Sequence, residues 1–297
     1  MSLFNNWSDV VNDIHLSTTS PTQFVKAAPI SGGSINAAYR LDCEARSYFI
    51  KINRSDRLDM FTAEFEGLVE LSESETIRVP GSVVTGADEA HAWLVTEFIE
   101  FGRQRADSES RFGNQLAAMH RRTASEFGWH RHNTIGSTFQ DNTRHSDWLT
   151  FFREQRLAYQ LGLLEKKGMG KSLYAIAEPL LESVPLFFSG YTPEPSLLHG
   201  DLWGGNRAFD EHGAPVIFDP AVYYGDREAD IAMTELFGGF GADFYAAYQN
   251  AWPLDEGYAV RKTLYNLYHV LNHANLFGGG YQHQAEGMIK RLLAELR

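Results

Sequence analysis

The stretch LLHGDLWGGNRAF, residues 197–209, places an Asp, a Trp, paired glycines and an Asn between two apolar runs. Asp201 and Asn206 lie five residues apart, and the next strand-like run, APVIF, ends at Asp219. The turn DEHG between the two runs predicts a hairpin. In that hairpin Asn206 and Asp219 come near each other, and Asp201 faces the same space.

These three side chains have the chemistry of a phosphate-transfer site. An amide oxygen and a carboxylate are hard donors of the kind that Mg²⁺ takes, with substrate phosphates as its other ligands. The remaining carboxylate can accept a proton from an attacking hydroxyl. In the protein-kinase catalytic loop the base Asp likewise precedes a metal-binding Asn by five residues, and a metal-binding Asp follows. We therefore predict Asp201 as the base and Asn206 and Asp219 as magnesium ligands.

A matching set for ATP lies in the first third of the chain. Lys51 is in the middle of the apolar run YFIKIN, where an unpaired ammonium would be costly to bury. It can pair with phosphates, and Glu64, in the helix that follows, can orient it. The turn SGGSIN (31–36) brings small residues and backbone N–H groups that can cover phosphates. Its predicted nucleotide-binding residues are Gly32, Gly33 and Ser34.

Each part taken alone has a structural explanation. The pair Asp201 and Asn206 could form an Asx-turn or a helix cap. Lys51 could extend its ammonium group to the surface. Together, however, the parts occur in the order found in kinases and with workable separations, which favours the functional interpretation.

Composition limits the class of protein. The 297 residues are 43% hydrophobic, enough for a substantial core, and the formal charge of −12 argues against nucleic acid or an anionic membrane as the main partner. A small anionic substrate is not excluded. No apolar run is long enough to span a bilayer, and the first residues lack the pattern of a secretion signal. The single cysteine, Cys43, fits the reducing cytoplasm.

Periodicity predicts an α+β fold in two lobes. Helical spacing over 3–15 is followed by strand-like runs and a second helical run over 56–71. The chain becomes mostly helical from about residue 103. We therefore predict a two-lobed, protein-kinase-like fold, with a small antiparallel-sheet lobe over 1–100 and a larger helical lobe over 101–297. The second lobe would hold the catalytic loop and the metal-binding hairpin.

Longer motifs carry a resemblance to a known family. GGSIN (32–36), HGDLWGGN (199–206) and YYGDREAD (223–230) closely resemble the fructosamine/ketosamine-3-kinase family, within the larger group of aminoglycoside- and choline-kinase-like enzymes. Further similarity, at NTIGSTFQ and LNHANLFGGGY, extends the resemblance over nearly the whole chain.

The resemblance implies ATP-dependent phosphorylation of the 3-hydroxyl of a ketosamine, such as ribulosamine or fructosamine. The phosphate destabilises the adduct, so the implied role is deglycation. The same roles carry over to Asp201, Asn206, Asp219, Lys51 and Glu64. The resemblance also implies that Asp230 braces the catalytic loop through backbone N–H groups, and that Glu97 and Phe98 present backbone groups to adenine.

The sequence departs from protein kinases in ways that indicate a small acceptor. Gly200 stands where they carry Arg, Pro220 and Ala221 replace the Phe and Gly that follow their metal-binding Asp, and no Ala-Pro-Glu segment follows. Without that Arg, no side chain at this position would bind a phosphorylated residue of an activation loop. A small-molecule kinase follows more naturally than a protein kinase.

The identity of the acceptor stays open in the sequence. Trp203 could stack on a sugar or only pack the loop, and Asp226, where many relatives carry His, flanks the presumed acceptor site. Ketosamines, free or on glycated protein, are one class. Aminoglycosides, choline-like alcohols and free sugars are the alternative, and a non-catalytic nucleotide-binding protein is a weaker one. The His- and Asn-rich helix near residue 270 is expected to be mostly core, and the resemblance leaves a role in lining the acceptor pocket as the alternative. The oligomeric state is not predicted.

Overall fold

The computed structural model describes residues 4, 6–19, 22–31, 35–168 and 171–296, without the side chains of residues 171 and 172. The chain forms two compact units. Unit 1 consists of Met1–Arg105 and Ala208–Asp219, and unit 2 consists of Ala106–Arg207 and Pro220–Arg297.

Unit 1 is built on a five-stranded antiparallel sheet of order β1-β2-β3-β5-β4. The strands are β1 (Phe24–Ile30), β2 (Ala37–Cys43), β3 (Ser47–Arg54), β4 (Ser82–Ala87) and β5 (His91–Glu97). Two helices accompany them, α1 (Trp7–Thr18) and α2 (Leu58–Glu73). Lys51 lies on the central strand β3, paired with Ala38 on β2 and Leu94 on β5.

The two faces of this sheet bury different sets of side chains. Ile50 and Ile52 of β3 belong to a buried cluster that includes Val10 and Ile14 of α1. On the α2 side, Phe61 packs with Ala92 and Leu94. Because side chains alternate along a strand, Lys51 lies on the face opposite Ile50 and Ile52 and therefore points towards α2.

The second segment of unit 1 contains most of the predicted hairpin, β9 (Arg207–Phe209) with β10 (Pro215–Ile217). Arg78 connects it to the rest of unit 1, since its guanidinium donates to Asp210 and Glu97, at 2.8 Å each. Phe101 also stacks on Phe218, with ring centroids 5.5 Å apart. The lobes 1–100 and 101–297 stay a prediction. The compact units differ from them, because the first break falls after residue 105 and most of the hairpin belongs to unit 1.

Unit 2 is mainly helical. Its helices are α3 (Ser108–His120), α4 (Trp148–Phe151), α5 (Tyr159–Lys166), α6 (Lys171–Ser183), α7 (Glu228–Leu236), α8 (Ala242–Ala251), α9 (Tyr258–Phe277) and α10 (Gly280–Glu295). Its short strands are β6 (Asn133–Ile135), β7 (Thr138–Gln140), β8 (Ser196–Leu198) and β11 (Tyr223–Gly225). The predicted α+β class, with an antiparallel sheet followed by a helical part, is confirmed.

Helix α9 is the centre of unit 2, packing against α5, α7 and α10, while α3 packs against α8. A Cβ at Gly113 of α3 would come within 2.3 Å of the Phe244 carbonyl oxygen, so glycine permits this close approach. A π-helical stretch, Phe152–Ala158, joins α4 to α5. It carries the fully buried Arg156, whose guanidinium lies over the rings of Tyr223 and Phe151.

Candidate active site

In unit 1 the structure brings Lys51, Glu64 and Asp219 together. Lys51 Nζ donates to Glu64 Oε1 at 2.6 Å and also to Asp219 Oδ1. Lys51 is 7% exposed, whereas the Asp219 side chain is 45% exposed. Burial alone would lower the pKa of Lys51, but the charges of Asp219 and Glu64 raise this pKa above its ordinary value. The ammonium group is therefore held charged.

Asp219 has an unusual backbone. Its φ of 57° lies in the left-handed region, although the residue is not glycine and precedes Pro220. A residue before proline normally adopts an extended conformation. Strain of this kind persists where the surrounding structure fixes it, and it concentrates at functional sites. Here it accompanies the bond between Asp219 and Lys51.

In unit 2 the structure brings Asp201 and Asn206 together. Asn206 Nδ2 donates to the Asp201 carbonyl oxygen at 2.9 Å and to Asp201 Oδ2 at 3.1 Å. A short 3₁₀ turn, Gly204–Asn206, closes the loop, and Asn206 is buried. The amide of Asn206 thus fixes the orientation of the Asp201 carboxylate.

Asp230 of α7 braces the start of this loop. Its carboxylate accepts hydrogen bonds from the backbone N–H groups of His199 (2.7 Å) and Gly200 (2.9 Å). His120 Nε2 lies 3.2 Å from the same carboxylate. Burial opposes ionisation, but the bonds from His120 and Gly200 still hold the pKa of Asp230 below its ordinary value.

Gly200 has a physical reason to be glycine. Its φ is +82°, and a Cβ built there would lie 2.1 Å from the Ala221 carbonyl oxygen. The Ala221 N–H donates to the His199 carbonyl oxygen at 2.8 Å, which holds the two segments at this separation. No side chain fits at position 200 while this contact persists.

The donor chemistry fits a magnesium–nucleotide complex. No cluster of three or more His, Cys, Asp or Glu side chains in the described part of the chain could hold a metal by itself. One amide oxygen and one exposed carboxylate, completed by phosphate oxygens, do suit Mg²⁺. Asn206 uses its amide nitrogen for Asp201, so its oxygen is the atom that suits a cation. Asn206 lies in unit 2 and Asp219 in unit 1, so their predicted proximity stays a prediction.

The adenine and phosphate contacts predicted for Glu97, Phe98 and residues 32–34 stay predictions. The Glu97 N–H already donates to the Gly81 carbonyl oxygen at 2.8 Å, so an adenine contact from Glu97 is confined to its carbonyl group. Phe98 is half-buried, and the guanidinium of Arg40 lies 4.5 Å from its ring centroid. Gly32, Gly33 and Ser34 lie outside the described residues.

Asp226 is not placed to contact a substrate. It is fully buried and accepts hydrogen bonds from Tyr191 Oη (2.9 Å), Tyr265 Oη (2.5 Å) and the backbone N–H of Glu228 (3.0 Å). The prediction from its sequence position next to the acceptor site is therefore corrected. Asp226 supports the interior of unit 2.

Trp203 retains both of its predicted roles. It is 38% exposed, and its ring lies 6.1 Å from that of Phe237 in a T-shaped arrangement. A Cβ at Gly205 would lie 2.3 Å from the Trp203 ring, so the ring also packs on its own loop. The side chain is thus held in place and still accessible.

Sequence reasoning missed two groups that organise the site. His120, fully buried on α3, connects Asp230 to Tyr248, whose hydroxyl lies 2.8 Å from His120 Nδ1. Asn53 at the end of β3 donates to Asn36 Oδ1 (2.7 Å) and to the Ile35 carbonyl oxygen (3.1 Å). Neither has a local sequence signal, because each acts on a segment far away in the chain.

Among the described residues, no helix is both long and apolar enough to cross a membrane.

Comparison with known proteins connects the chain to a family. The family model described as fructosamine kinase matches residues 6–295. A Synechocystis protein named probable ketoamine kinase is 45% identical over 288 residues, covering 97% of each chain. The chloroplastic protein-ribulosamine 3-kinase of Arabidopsis thaliana is 42% identical over 296 residues, covering 97% of this chain and 89% of its own.

Solved structures agree in fold. A Haemophilus somnus protein crystallised as a candidate fructosamine-3-kinase superposes with a TM-score of 0.89, at 27% identity and 97% coverage of both chains. A choline kinase from Streptococcus pneumoniae gives a TM-score of 0.64 at 11% identity, covering 98% of this chain and 100% of its own. A likeness at that identity shows the fold alone, and it confirms the predicted protein-kinase-like fold.

Proposed function

The chain belongs to the fructosamine kinase family, and we propose that it transfers the terminal phosphoryl group of ATP to the 3-hydroxyl of a ketosamine. The observation that carries the proposal is the pair of bonded sets: Lys51 with Glu64 and Asp219, and Asp201 with Asn206. The names of the cyanobacterial and plant relatives support a ketosamine as the acceptor.

The set in unit 1 suits nucleotide binding. Lys51 presents a charged ammonium for the phosphates, and Glu64 fixes the direction of its side chain. Asp219, with its exposed carboxylate, is a proposed magnesium ligand. When bound, Mg²⁺ neutralises charge that develops on the transferring phosphoryl group. Replacing Asp219 by phosphate oxygens as the partner of Lys51 would free that carboxylate for the metal.

The set in unit 2 suits activation of the acceptor. Asp201 would accept the proton of the 3-hydroxyl as its oxygen attacks phosphorus, and Asn206 would hold Asp201 in place while its own oxygen binds the metal. Because the transition state of phosphoryl transfer is loose, positioning and charge neutralisation supply most of the acceleration. Asp230 would contribute by fixing the backbone before Asp201.

The proposal extends to a biological role. A phosphate on the 3-hydroxyl destabilises a sugar–amine adduct, so the reaction would remove glycation from amino acids or proteins. The buried free thiol of Cys43 is consistent with a reducing cytoplasm. Ribulosamine and fructosamine, free or carried on protein, are the acceptors we propose.

Transfer of labelled phosphate from ATP tests the proposal. The acceptor panel would contain ribuloselysine and fructoselysine peptides, an aminoglycoside, choline and free ribose. We expect label on the ketosamines only, and loss of at least about a hundredfold in turnover with Asp201→Asn. The matched control, Asp243→Asn on the exposed face of α8, should retain wild-type turnover. Labelling of choline or the aminoglycoside in preference to both ketosamines would refute the acceptor class.

A further inference from the structure

The loop that carries Asp201 and Asn206 is tied down at both ends, and the second tie is not explained by the roles given so far. At its start, Asp230 holds the backbone of His199 and Gly200. At its end, Asn206 is followed directly by Arg207. Between them lie two glycines, and a Cβ at Gly204 would meet nothing within 4 Å. Besides its bonds to Asp201, Asn206 is therefore held through the next residue, Arg207.

Arg207 is held by a charge and by aromatic rings. Its Nη1 donates to Glu109 Oε1 at 2.8 Å, and its guanidinium carbon lies 4.0 Å from the centroid of the Phe240 ring. The ring of Phe112 lies 5.7 Å away. The side chains of Arg207 and Glu109 are only 16% and 5% exposed, so water screens this pair much less than a surface ion pair.

Phe240 belongs to the glycine-rich connection, which we define as residues 237–241, FGGFG, between α7 and α8. Its first residue, Phe237, contacts Trp203, and its fourth, Phe240, contacts Arg207. The connection therefore contacts the catalytic loop both before and after the loop's own glycines, Gly204 and Gly205. Gly238 and Gly239 make this route possible, with φ values of 101° and 76°.

The connection is itself fixed in place. The Phe240 N–H donates to Tyr245 Oη at 3.0 Å, and that hydroxyl lies 3.2 Å from Thr234 Oγ1 on α7. A Cβ at Gly241 would lie 3.0 Å from Glu109 Cγ, so the connection packs directly on the carboxylate that holds Arg207. Glu109 Oε2 has no hydrogen-bond partner among the described residues, so the carboxylate depends on Arg207.

We propose that Arg207 is a positioning residue, which Glu109 and the glycine-rich connection hold in order to fix Asn206 for its metal. This rests on the metal role of Asn206 proposed above. Arg207 acts through its neighbour in the chain and does not itself contact the substrate.

Two measurements on Arg207→Met test this. The first is amide hydrogen exchange of the peptide covering residues 199–209 in the ligand-free protein, which reports the loop without any turnover. The second is the free Mg²⁺ concentration that gives half-maximal turnover. We expect exchange in this peptide to become about tenfold faster, and the magnesium requirement to rise by a similar factor. Arg207→Lys keeps the charge but loses the planar stacking, so its effects should be smaller.

A double variant separates positioning from simple destabilisation. Arg207→Met alone leaves the Glu109 carboxylate buried without a cation, whereas Arg207→Met with Glu109→Gln removes that charge. The double variant should regain thermal stability while its loop exchange and magnesium requirement stay raised. Recovery of both readouts together with stability would overturn the proposal, as would wild-type behaviour of Arg207→Met.

A matched control and a reference variant complete the design. Lys290→Met removes an exposed ion pair with Glu286 on α10 and should change neither readout. Asn206→Ala should raise the magnesium requirement more than Arg207→Met does. If Asn206→Ala leaves that requirement unchanged, the metal role of Asn206 fails, and the exchange measurement alone then decides whether Arg207 positions the loop.

Discussion

Two sets of bonded polar groups, that of Lys51 in unit 1 and that of Asp230 in unit 2, stabilise their charges in opposite ways. In unit 1, Lys51, Glu64 and Asp219 bond through their side chains, and Asp219 stays 45% exposed. In unit 2, the carboxylate of Asp230 bonds to backbone N–H groups and is buried. A bond to an exposed side chain such as Asp219 can be exchanged for a bond to a ligand, whereas bonds to backbone fix a loop. The first set is suited to binding, and the second to positioning.

The largest expected effect comes from breaking the first set at its exposed member. Asp219→Asn keeps the shape of the side chain and tolerates its left-handed φ, but it removes the proposed metal-binding charge. We expect turnover to fall about a thousandfold. Because the side chain is half exposed, the free energy of unfolding should change by less than about 1 kcal/mol. Steady-state kinetics and urea unfolding would measure the two effects, and a large loss of stability would contradict the comparison.

Breaking the second set should affect both properties. Asp230→Asn cannot accept the bonds from His199 N–H and Gly200 N–H as a carboxylate does. We expect the free energy of unfolding to fall by about 3 kcal/mol, since charged buried acceptors are lost. Turnover should fall about a hundredfold, because the loop before Asp201 is no longer fixed. Reduced turnover with unchanged stability would show that Asp230 acts on substrate and not on the loop.

The pH dependence of stability sharpens the contrast, because the interior of unit 2 also holds one histidine, His269, in its neutral form. Burial lowers the pKa of His269 to about 3, and the neighbouring His273 adds to the effect. As pH falls below 6.5, the unfolded chain binds a proton that the folded chain does not, so stability is lost on acidification. For this one residue the loss is about 2 kcal/mol between pH 7 and pH 5.

The variant His269→Asn tests whether this histidine causes the loss of stability on acidification. Urea unfolding at several pH values between 7 and 5 should give a shallower dependence in the variant than in the wild type, by about one proton. The variant should be less stable at pH 7, because a buried ring is lost, and this does not affect the slope. An unchanged slope would mean that His269 accepts a proton in the folded protein.

The smallest effect is expected at Arg78, a partly exposed arginine that bonds to the hairpin of unit 1. Arg78→Met removes the bonds to Asp210 and Glu97. Because Arg78 is 40% exposed, we expect a loss of about 1 kcal/mol or less in the free energy of unfolding. Arg153→Met, which removes a comparably exposed pair with Glu154, is the matched control. A loss above about 3 kcal/mol would show that the hairpin depends on this arginine far more than a surface ion pair allows.

The sequence predicted the elements of the site that are local. The apolar run YFIKIN predicted a strand with Lys51 in its middle, and the turn DEHG predicted the hairpin. The spacing of Asp201 and Asn206 brought their side chains together within one loop. These features depend on strand and turn geometry over a few residues, and the local residue pattern determines that geometry.

Features that depend on distant packing were not predictable in this way. Asp226 lies close in sequence to the catalytic segment, yet Tyr191 and Tyr265, from two other elements, draw it into the interior. His120 braces Asp230 across 110 residues. The π-helical stretch over 152–158 has the same apolar spacing as an ordinary helix in the sequence, so periodicity could not distinguish it.

The contact between Gly200 and the Ala221 carbonyl has an evolutionary consequence. In protein kinases an arginine at the position of Gly200 serves control by a phosphorylated loop. Here an arginine could not be accommodated by a single substitution, because any side chain at residue 200 would collide with the backbone at residue 221. A descendant of this chain that acquired such control would first have to reroute the segment after Asp219.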